Sequence, residues 1–309
     1  MTENSLVTFA IISYKQEHFI TEAVLSAFAQ TYSPLEIVIS DDCSPDSTYE
    51  IIEKLVADYR GPHKIRLNQN KKNMGLAGNV NKMWELSSGE LLVIQGGDDI
   101  SVPKRTEIMV EAWKASMPPV DMLYSNITVI DESGKVIEQR KETRPISKKL
   151  MIRETLTGKK TFVIGGCSAA YSRDIHSKAG PLDSKVVAED FVYSFRALLG
   201  NGVTGIEEPL VKYRINSNSI IGTFEAGAIG EKKLLVGQQA ILNEYKKALN
   251  CYGFNNAFLR WRLGRRINTF QLNINSYEMS TTGRLFLCLY AALTFRLRLF
   301  VQLLKKIPG

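Results

Sequence analysis

The 309-residue chain is poor in the residues that build sulfur and imidazole sites, with four cysteines and three histidines. Cys43, Cys167, Cys251 and Cys288 lie far apart and form no CxxC pair. That spacing argues against a structural zinc site and against a disulfide scaffold, and fits reduced thiols in a cytoplasmic protein. His18, His63 and His176 are too scattered for a histidine-rich metal site. No GxGxxG is present, and the turn after the first apolar run reads Ser13-Tyr14-Lys15-Gln16, without glycine. An NAD-dependent oxidoreductase therefore fits badly, as does a metal-dependent nucleotidyltransferase, which needs a glycine-rich basic phosphate loop near the first strand. No basic, cleavable leader opens the chain, so no secretory signal is expected. Within the apolar tail 285–304 only 285–295 is free of charge, about half of the ~20 residues that span a bilayer.

What remains is ordinary for a folded chain: 44% hydrophobic and 23% charged residues, enough for one large domain or two modest ones. The net charge of +7 is unevenly placed. From Ala226 onward there are 13 basic and 3 acidic residues, and the remainder holds 26 basic and 29 acidic, so the last quarter carries the whole excess. This shift marks the expected boundary, with 1–225 a catalytic domain (1–116 and 117–225 its halves) and 226–309 a basic helical region.

Strands are expected at 7–12, 35–40, 65–67 and 91–95, where short apolar runs suit a buried parallel sheet. Apolar residues at helical spacing predict helices at 20–30, 75–87 and 105–116. Another should start at Ser47 or Thr48, with Ile51, Ile52, Leu55, Val56 and Tyr59 inward. The alternation predicts a doubly wound α/β sheet. Further on, 122–130 and 136–137 read as a hairpin, 188–199 as a helix and 210–215 as a strand.

Ligands of such sheets lie at the carboxyl ends of the strands. Two of those ends carry paired acids: the second strand runs into Asp41-Asp42, and the strand 91–95 runs through Gly96-Gly97 into Asp98-Asp99. Four carboxylates around one crevice repel unless a cation or hydrogen-bond donors lie between them. Mg²⁺ or Mn²⁺ suits the second pair, since such cations take one or two carboxylates and complete their shell with water and phosphate oxygens. Either pair alone could instead cap a helix or a turn.

Together these motifs resemble glycosyltransferase family 2. They comprise Ile12-Ser13-Tyr14, Gln30-Thr31-Tyr32, Glu36-Ile37-Val38, the run Asp41 to Thr48, Asn73-Met74-Gly75-Leu76, Asn81, Gly89-Glu90, and Asp98-Asp99 followed by Pro103. The resemblance covers about 220 residues and implies a GT-A fold, a Rossmann-like nucleotide-binding half joined to an acceptor half. It implies an inverting transferase that takes a sugar from a nucleoside-diphosphate sugar, UDP foremost, to a hydroxyl of a glycan or lipid-linked acceptor in bacterial surface polysaccharide synthesis. On the matching positions, Ser13, Tyr14, Asp41, Asp42, Asn73, Gly75, Asn81, Gly97, Asp98 and Arg214 would contact the donor. Asp98 and Asp99 would hold the metal, although Gly96 stands where the family's first metal-site Asp is usual. Asp190, in Glu189-Asp190 at the start of a helix, would be the catalytic base, and Asn216 replaces a common histidine after Tyr213-Arg214. Gly165-Gly166-Cys167-Ser168 either shapes the acceptor cleft or is a tight turn without a ligand.

The basic C-terminal region suggests attachment at an anionic membrane surface, peripheral at the inner face of the cell membrane. Arg260, Arg262, Arg265, Arg266 and Lys305-Lys306 would lie near headgroups there. The same helices could pack on the catalytic domain or on a second copy of the chain. No recognition motif points to nucleic acid. A non-catalytic nucleotide-sugar-binding protein on the same fold is the alternative from a different class.

Overall fold

The computed structural model describes residues 5–143, 147–158, 165–216 and 231–275. The tail 285–304 and Lys305-Lys306 lie outside them.

The first half follows the expected alternation. Strand β1 (Val7–Ser13), helix α1 (Ile20–Phe28), β2 (Leu35–Asp41), α2 (Thr48–Asp58), β3 (Lys64–Gln69), α3 (Gly75–Leu86) and β4 (Leu91–Gly96) succeed one another. β1 pairs in parallel with β2 on one side and β4 on the other, and β2 pairs with β3. β1, β2 and β4 are buried along almost their whole length because both faces are covered, whereas the edge strand β3 is only half-buried. Phe9, Ile11, Ile37, Ile39 and Val93 join one buried cluster with Ile20, Val24 and Met109. The alternate residues Ala10, Val38, Leu92 and Ile94 join another with Val80, Met83 and Trp84. Ser47 precedes α2 without a side-chain cap. The capping group is Asp46, whose Oδ1 accepts the Thr48 N–H at 3.2 Å and the Thr48 hydroxyl at 2.6 Å.

Beyond β4 the sheet stops being doubly wound in the simple sense. A two-residue strand β5 (Ile100–Ser101) leads to α4 (Arg105–Ala115) and the long strand β6 (Met122–Ile130). Then come β7 (Val136–Arg140), α5 (Lys148–Thr157), a 3-10 turn (Gly166–Ser168), β8 (Ala169–Ser172) and α6 (Arg173–Ala179). Helix α7 (Glu189–Leu199) and β9 (Val203–Arg214) complete the sheet, whose order is β3-β2-β1-β4-β8-β6-β9-β5 with β7 beside β6. β8 runs antiparallel between β4 and β6, so the sheet is mixed and the two halves form one surface. The last strand begins at Val203, seven residues before the expected start. It crosses two register shifts between Ser125 and Ile127 of its partner β6, and its apolar pattern is interrupted there.

Helices α8 (Glu231–Cys251) and α9 (Ala257–Asn275) follow. Ala240, Ile241, Tyr245, Leu249, Leu259 and Leu263 are buried in the same cluster as Leu92, Tyr171 and Val192. Arg196 of α7, wholly buried, donates to Glu244 of α8 at 2.7 Å. Among the described residues no helix is long and apolar enough to cross a membrane.

Candidate active site

The parallel strands β1, β2 and β4 end side by side, at the position where the strand order reverses from β1, which is where sheets of this kind take their ligands. At the end of β1, Ser13 Oγ donates to Asp41 Oδ1 at 3.2 Å, and the Asp42 N–H donates to Ser13 O at 2.9 Å. Asp41 is fully buried and also accepts the Ser44 N–H at 2.8 Å and the Ser44 hydroxyl at 2.5 Å. The following residue, Cys43, takes a left-handed conformation with φ of 59°, which turns the chain sharply away from β2. Asp42 Oδ1 accepts Asn70 Nδ2 and the Met74 N–H, both at 2.8 Å. It thereby fixes the segment carrying Asn73 and Gly75, and Asn73 Oδ1 takes the Gly75 N–H at 3.1 Å. Tyr14 stands at the rim, 41% exposed.

The Asp98-Asp99 turn leaves β4 against these residues. The Gly97 N–H donates to Ile12 O at 2.9 Å, and a Cβ at Gly97 would strike Gln16 and Ser13. Gly96 has a different reason to be small. A Cβ there would lie 2.8 Å from Asp98 Oδ1 and 3.2 Å from Asp99 Oδ2. Two carboxylate oxygens thus flank the space that a side chain at position 96 would fill. Burial raises the Asp98 carboxyl above the usual range. Burial, followed by the charge of Asp98, pushes Asp99 well up. A small divalent cation fits this donor set, since it would relieve both penalties and leave positions for a diphosphate and water. Among the described residues no group of three or more His, Cys, Asp or Glu side chains forms a metal cluster.

Arg214, the last residue of β9, and Asn216 just beyond it hold this turn. The Arg214 N–H donates to Asp99 Oδ1 at 3.0 Å, and Asn216 Nδ2 donates to Asp98 Oδ2 at 2.8 Å. The Arg214 guanidinium is buried, and its nitrogens donate to Asp98 O, Asp131 O, Glu132 O and Glu22 Oε2, which ties the acidic turn to the turn after β6 and to α1.

The second carboxylate pair stands across the 3-10 turn Gly166–Ser168. A Cβ on Gly166 would lie 2.6 Å from Glu189 Oε1 and 3.7 Å from Asp190 Cβ, so glycine is what lets the turn pack there. Burial pushes the Asp190 carboxyl up to about 6, against the backbone N–H groups of Phe191 and Gly166, which hold it down. Burial and then the Asp190 charge push Glu189 up to about 8. Cys167 in the turn lies within electrostatic reach of both Asp99 and Asp190, so the turn stands near both acid pairs.

Asn81 is not brought into this group. Its side chain donates to Leu182 O and accepts the Leu182 N–H, both at 2.9 Å, and so ties α3 to the segment that leads into α7. Three residues that position the site carry no sequence signal beyond their polarity: Gln95, Ser101 and Arg105. Gln95 Nε2 donates to Asp99 O at 3.1 Å, and Ser101 Oγ donates to Gln95 Oε1 at 2.5 Å. An arginine in the first turn of a helix reads as solvated, whereas Arg105 is fully buried.

Comparison with known proteins bears on the fold and the family. An uncharacterized glycosyltransferase of Nostoc sp. is 27% identical over 244 residues, 77% of this chain and 74% of that one. The Escherichia coli UDP-Glc:alpha-D-GlcNAc-diphosphoundecaprenol beta-1,3-glucosyltransferase WfgD is 28% identical over 145 residues, 46% of this chain and 54% of its own length. Among solved structures, S. aureus TarS 1-349 in complex with UDP-GlcNAc superposes with a TM-score of 0.61 at 16% identity, covering 98% of this chain and 81% of that one. The mannosyltransferase PcManGT from Pyrobaculum calidifontis, in complex with GDP-Man and Mn²⁺, gives 0.55 at 17% identity, covering 95% and 81%. These likenesses show the GT-A fold. The family model for glycosyl transferase family 2 matches residues 8–180, more than half of the chain, and the protein belongs to that family.

Proposed function

We propose that the protein transfers a sugar, with inversion, from a nucleoside-diphosphate sugar (UDP foremost) to a hydroxyl of a glycan or lipid-linked acceptor, with Mg²⁺ or Mn²⁺ as cofactor. The observation that carries this reading is the nearness of two acid pairs, Asp98-Asp99 and Glu189-Asp190, to the one turn Gly166–Ser168. Ser13, Asp41, Asp42, Asn73, Gly75 and Gly97 line the end of the nucleotide half, where the base, ribose and diphosphate of a donor would lie, with Tyr14 at the rim.

In this reading Asp98 and Asp99 hold the cation, which when bound offsets the negative charge that builds on the departing diphosphate. Asp190 accepts the proton of the acceptor hydroxyl. That oxygen bonds to the anomeric carbon as the bond from this carbon to the diphosphate oxygen breaks on the opposite face, and a single displacement inverts the centre. A base needs a pKa near the working pH, and a carboxyl raised to about 6 meets that need. Glu189, raised to about 8, stays protonated beside it and adds no second negative charge. In this scheme Arg214 also braces the Asp98-Asp99 turn, and Asn81 ties α3 to the segment before α7.

The lipid-linked substrate named for WfgD supports a setting in bacterial surface polysaccharide synthesis. A basic C-terminal region suits work at the inner face of the cell membrane, on anionic lipid. Arg260 and Arg266 donate to main-chain carbonyls of Phe254, Leu249 and Thr155, which leaves Arg262 and Arg265, with the half-exposed Trp261, as the residues of α9 suited to headgroups. The test is a calorimetric screen of nucleoside diphosphates and their sugars with and without Mn²⁺, followed by donor hydrolysis. Binding of one base that needs the cation, with turnover, is expected. Binding without any turnover would favour the non-catalytic alternative.

A further inference from the structure

One buried guanidinium spans both carboxylate sites. Strands β4 and β8 pair as far as Val93 opposite Ala170, and beyond that rung the two chains part. β4 leads to the Asp98-Asp99 turn, whereas on the β8 side the chain comes from the Gly166–Ser168 turn. Arg105, the first residue of α4, lies in the fork. Its Nη2 donates to Ile94 O at 2.9 Å, Cys167 O at 3.0 Å and Ala169 O at 3.2 Å, while Nη1 donates to Ser101 Oγ at 2.9 Å.

Ile94 and Ser101 bracket the metal-site turn. Cys167 belongs to the turn whose Gly166 packs on Glu189 and Asp190, and Ala169 opens the strand that follows it. The side chain is fully buried, and burial lowers it only to about 10, so it stays charged at neutral pH. A lysine keeps that charge but offers one nitrogen where two act here, Nη2 on the three carbonyls and Nη1 on Ser101.

We propose that Arg105 is a positioning residue that sets the spacing between the Asp98-Asp99 site and the base Asp190. This inference rests on the reading of those carboxylates given above. Losing the bridge lets the Gly166–Ser168 turn drift against the Asp98-Asp99 turn, while the nucleotide pocket on β1, β2 and β4 keeps its own bonds. Drift of about an ångström between reacting groups is worth up to ~100-fold in rate.

The test uses the full chain with Arg105→Gln and Arg105→Lys, beside the parent and Asp190→Asn. Hydrolysis of UDP-glucose and UDP-N-acetylglucosamine with Mn²⁺ gives kcat, and UDP calorimetry gives nucleotide affinity. Both Arg105 variants are expected to bind UDP within about threefold of the parent and to lose about 10- to 100-fold in kcat, with lysine recovering only part. A kcat within twofold of the parent, or UDP affinity falling in step with kcat, overturns the proposal. If Arg105→Gln does not fold, Arg105→Lys and Ser101→Ala decide, and unchanged kcat in both is equally fatal. A parent that binds UDP but turns over neither sugar sinks the transferase reading itself, and this inference with it. An active parent whose Asp190→Asn variant is equally active removes the base and overturns this inference with it, while the transferase reading stands.

Discussion

The sharpest consequence of the site is the acid limb of its pH dependence. A carboxyl with its pKa at about 6 is about ten parts ionised to one protonated at pH 7, and the ratio reverses at pH 5. If Asp190 is the base, kcat/KM for the donor should therefore fall about tenfold between pH 7 and pH 5. An aspartate at the ordinary value would stay mostly ionised over that range and give an almost flat profile. Glu189, at about 8, is mostly protonated from pH 5 to pH 7 and should not add a limb of its own over that range. The measurement is the initial rate of nucleotide release at low donor concentration from pH 4.5 to 8, with saturating Mn²⁺. Nucleotide affinity is followed by calorimetry at each pH, because Asp98 and Asp99 also titrate upward of normal. Asp190→Asn should lower turnover by about 10²- to 10⁴-fold and abolish the limb. A limb that survives in the asparagine variant at full height would show that another group titrates and would remove Asp190 from the role.

Further outcomes follow from burial and charge. Glu189 is raised when folded, so its contribution to stability is complete below about pH 4.5, shrinks as pH rises and is gone above about 8. Glu189→Gln should flatten that loss, seen as a smaller difference in Tm between pH 5 and pH 8; an unaltered difference would contradict the assignment. Glu244→Gln strands the buried Arg196 charge and should cost about 3–5 kcal/mol in chemical denaturation. A cost below 1 kcal/mol would mean that water reaches the pair. On vesicles containing phosphatidylserine, Arg262→Glu with Arg265→Glu should weaken co-sedimentation of the full chain and leave its binding to neutral vesicles unchanged; equal binding of both proteins to the anionic vesicles would argue against α9 as a contact.

The half of the site that sequence made legible is the half built from parallel strands. A strand covered on both faces must be apolar along its length, so Asp41-Asp42 and Asp98-Asp99 stand out as abrupt endings. Asp190 was singled out through the family resemblance, as the second acid of Glu189-Asp190 at the start of a helix. β8 was not, because four residues, Ala169–Ser172, carry too little pattern to separate a strand from a loop. Helix α5 was missed because its exposed face holds Lys148, Lys149, Arg153 and Glu154, and only Ile152, Thr155 and Leu156 are buried. Arg214 and Asn81 were recognisable as important polar positions. Their roles depend on which main-chain atoms face them, and those partners lie 80 or more residues away in sequence. Arg105 illustrates the same limit, since its partners at Cys167 and Ala169 belong to a part of the sheet that has no visible period.

The burial of Tyr245 and Leu249 beside Phe195 and Val192 has a practical corollary for anyone trimming the gene. Cutting after residue 225 would strip the apolar flank of the very helix that begins with Glu189 and Asp190, and leave Arg196 without its counter-ion. The shortened polypeptide should aggregate or misplace its base, so an inactive fragment would say nothing about whether the tail takes part in catalysis.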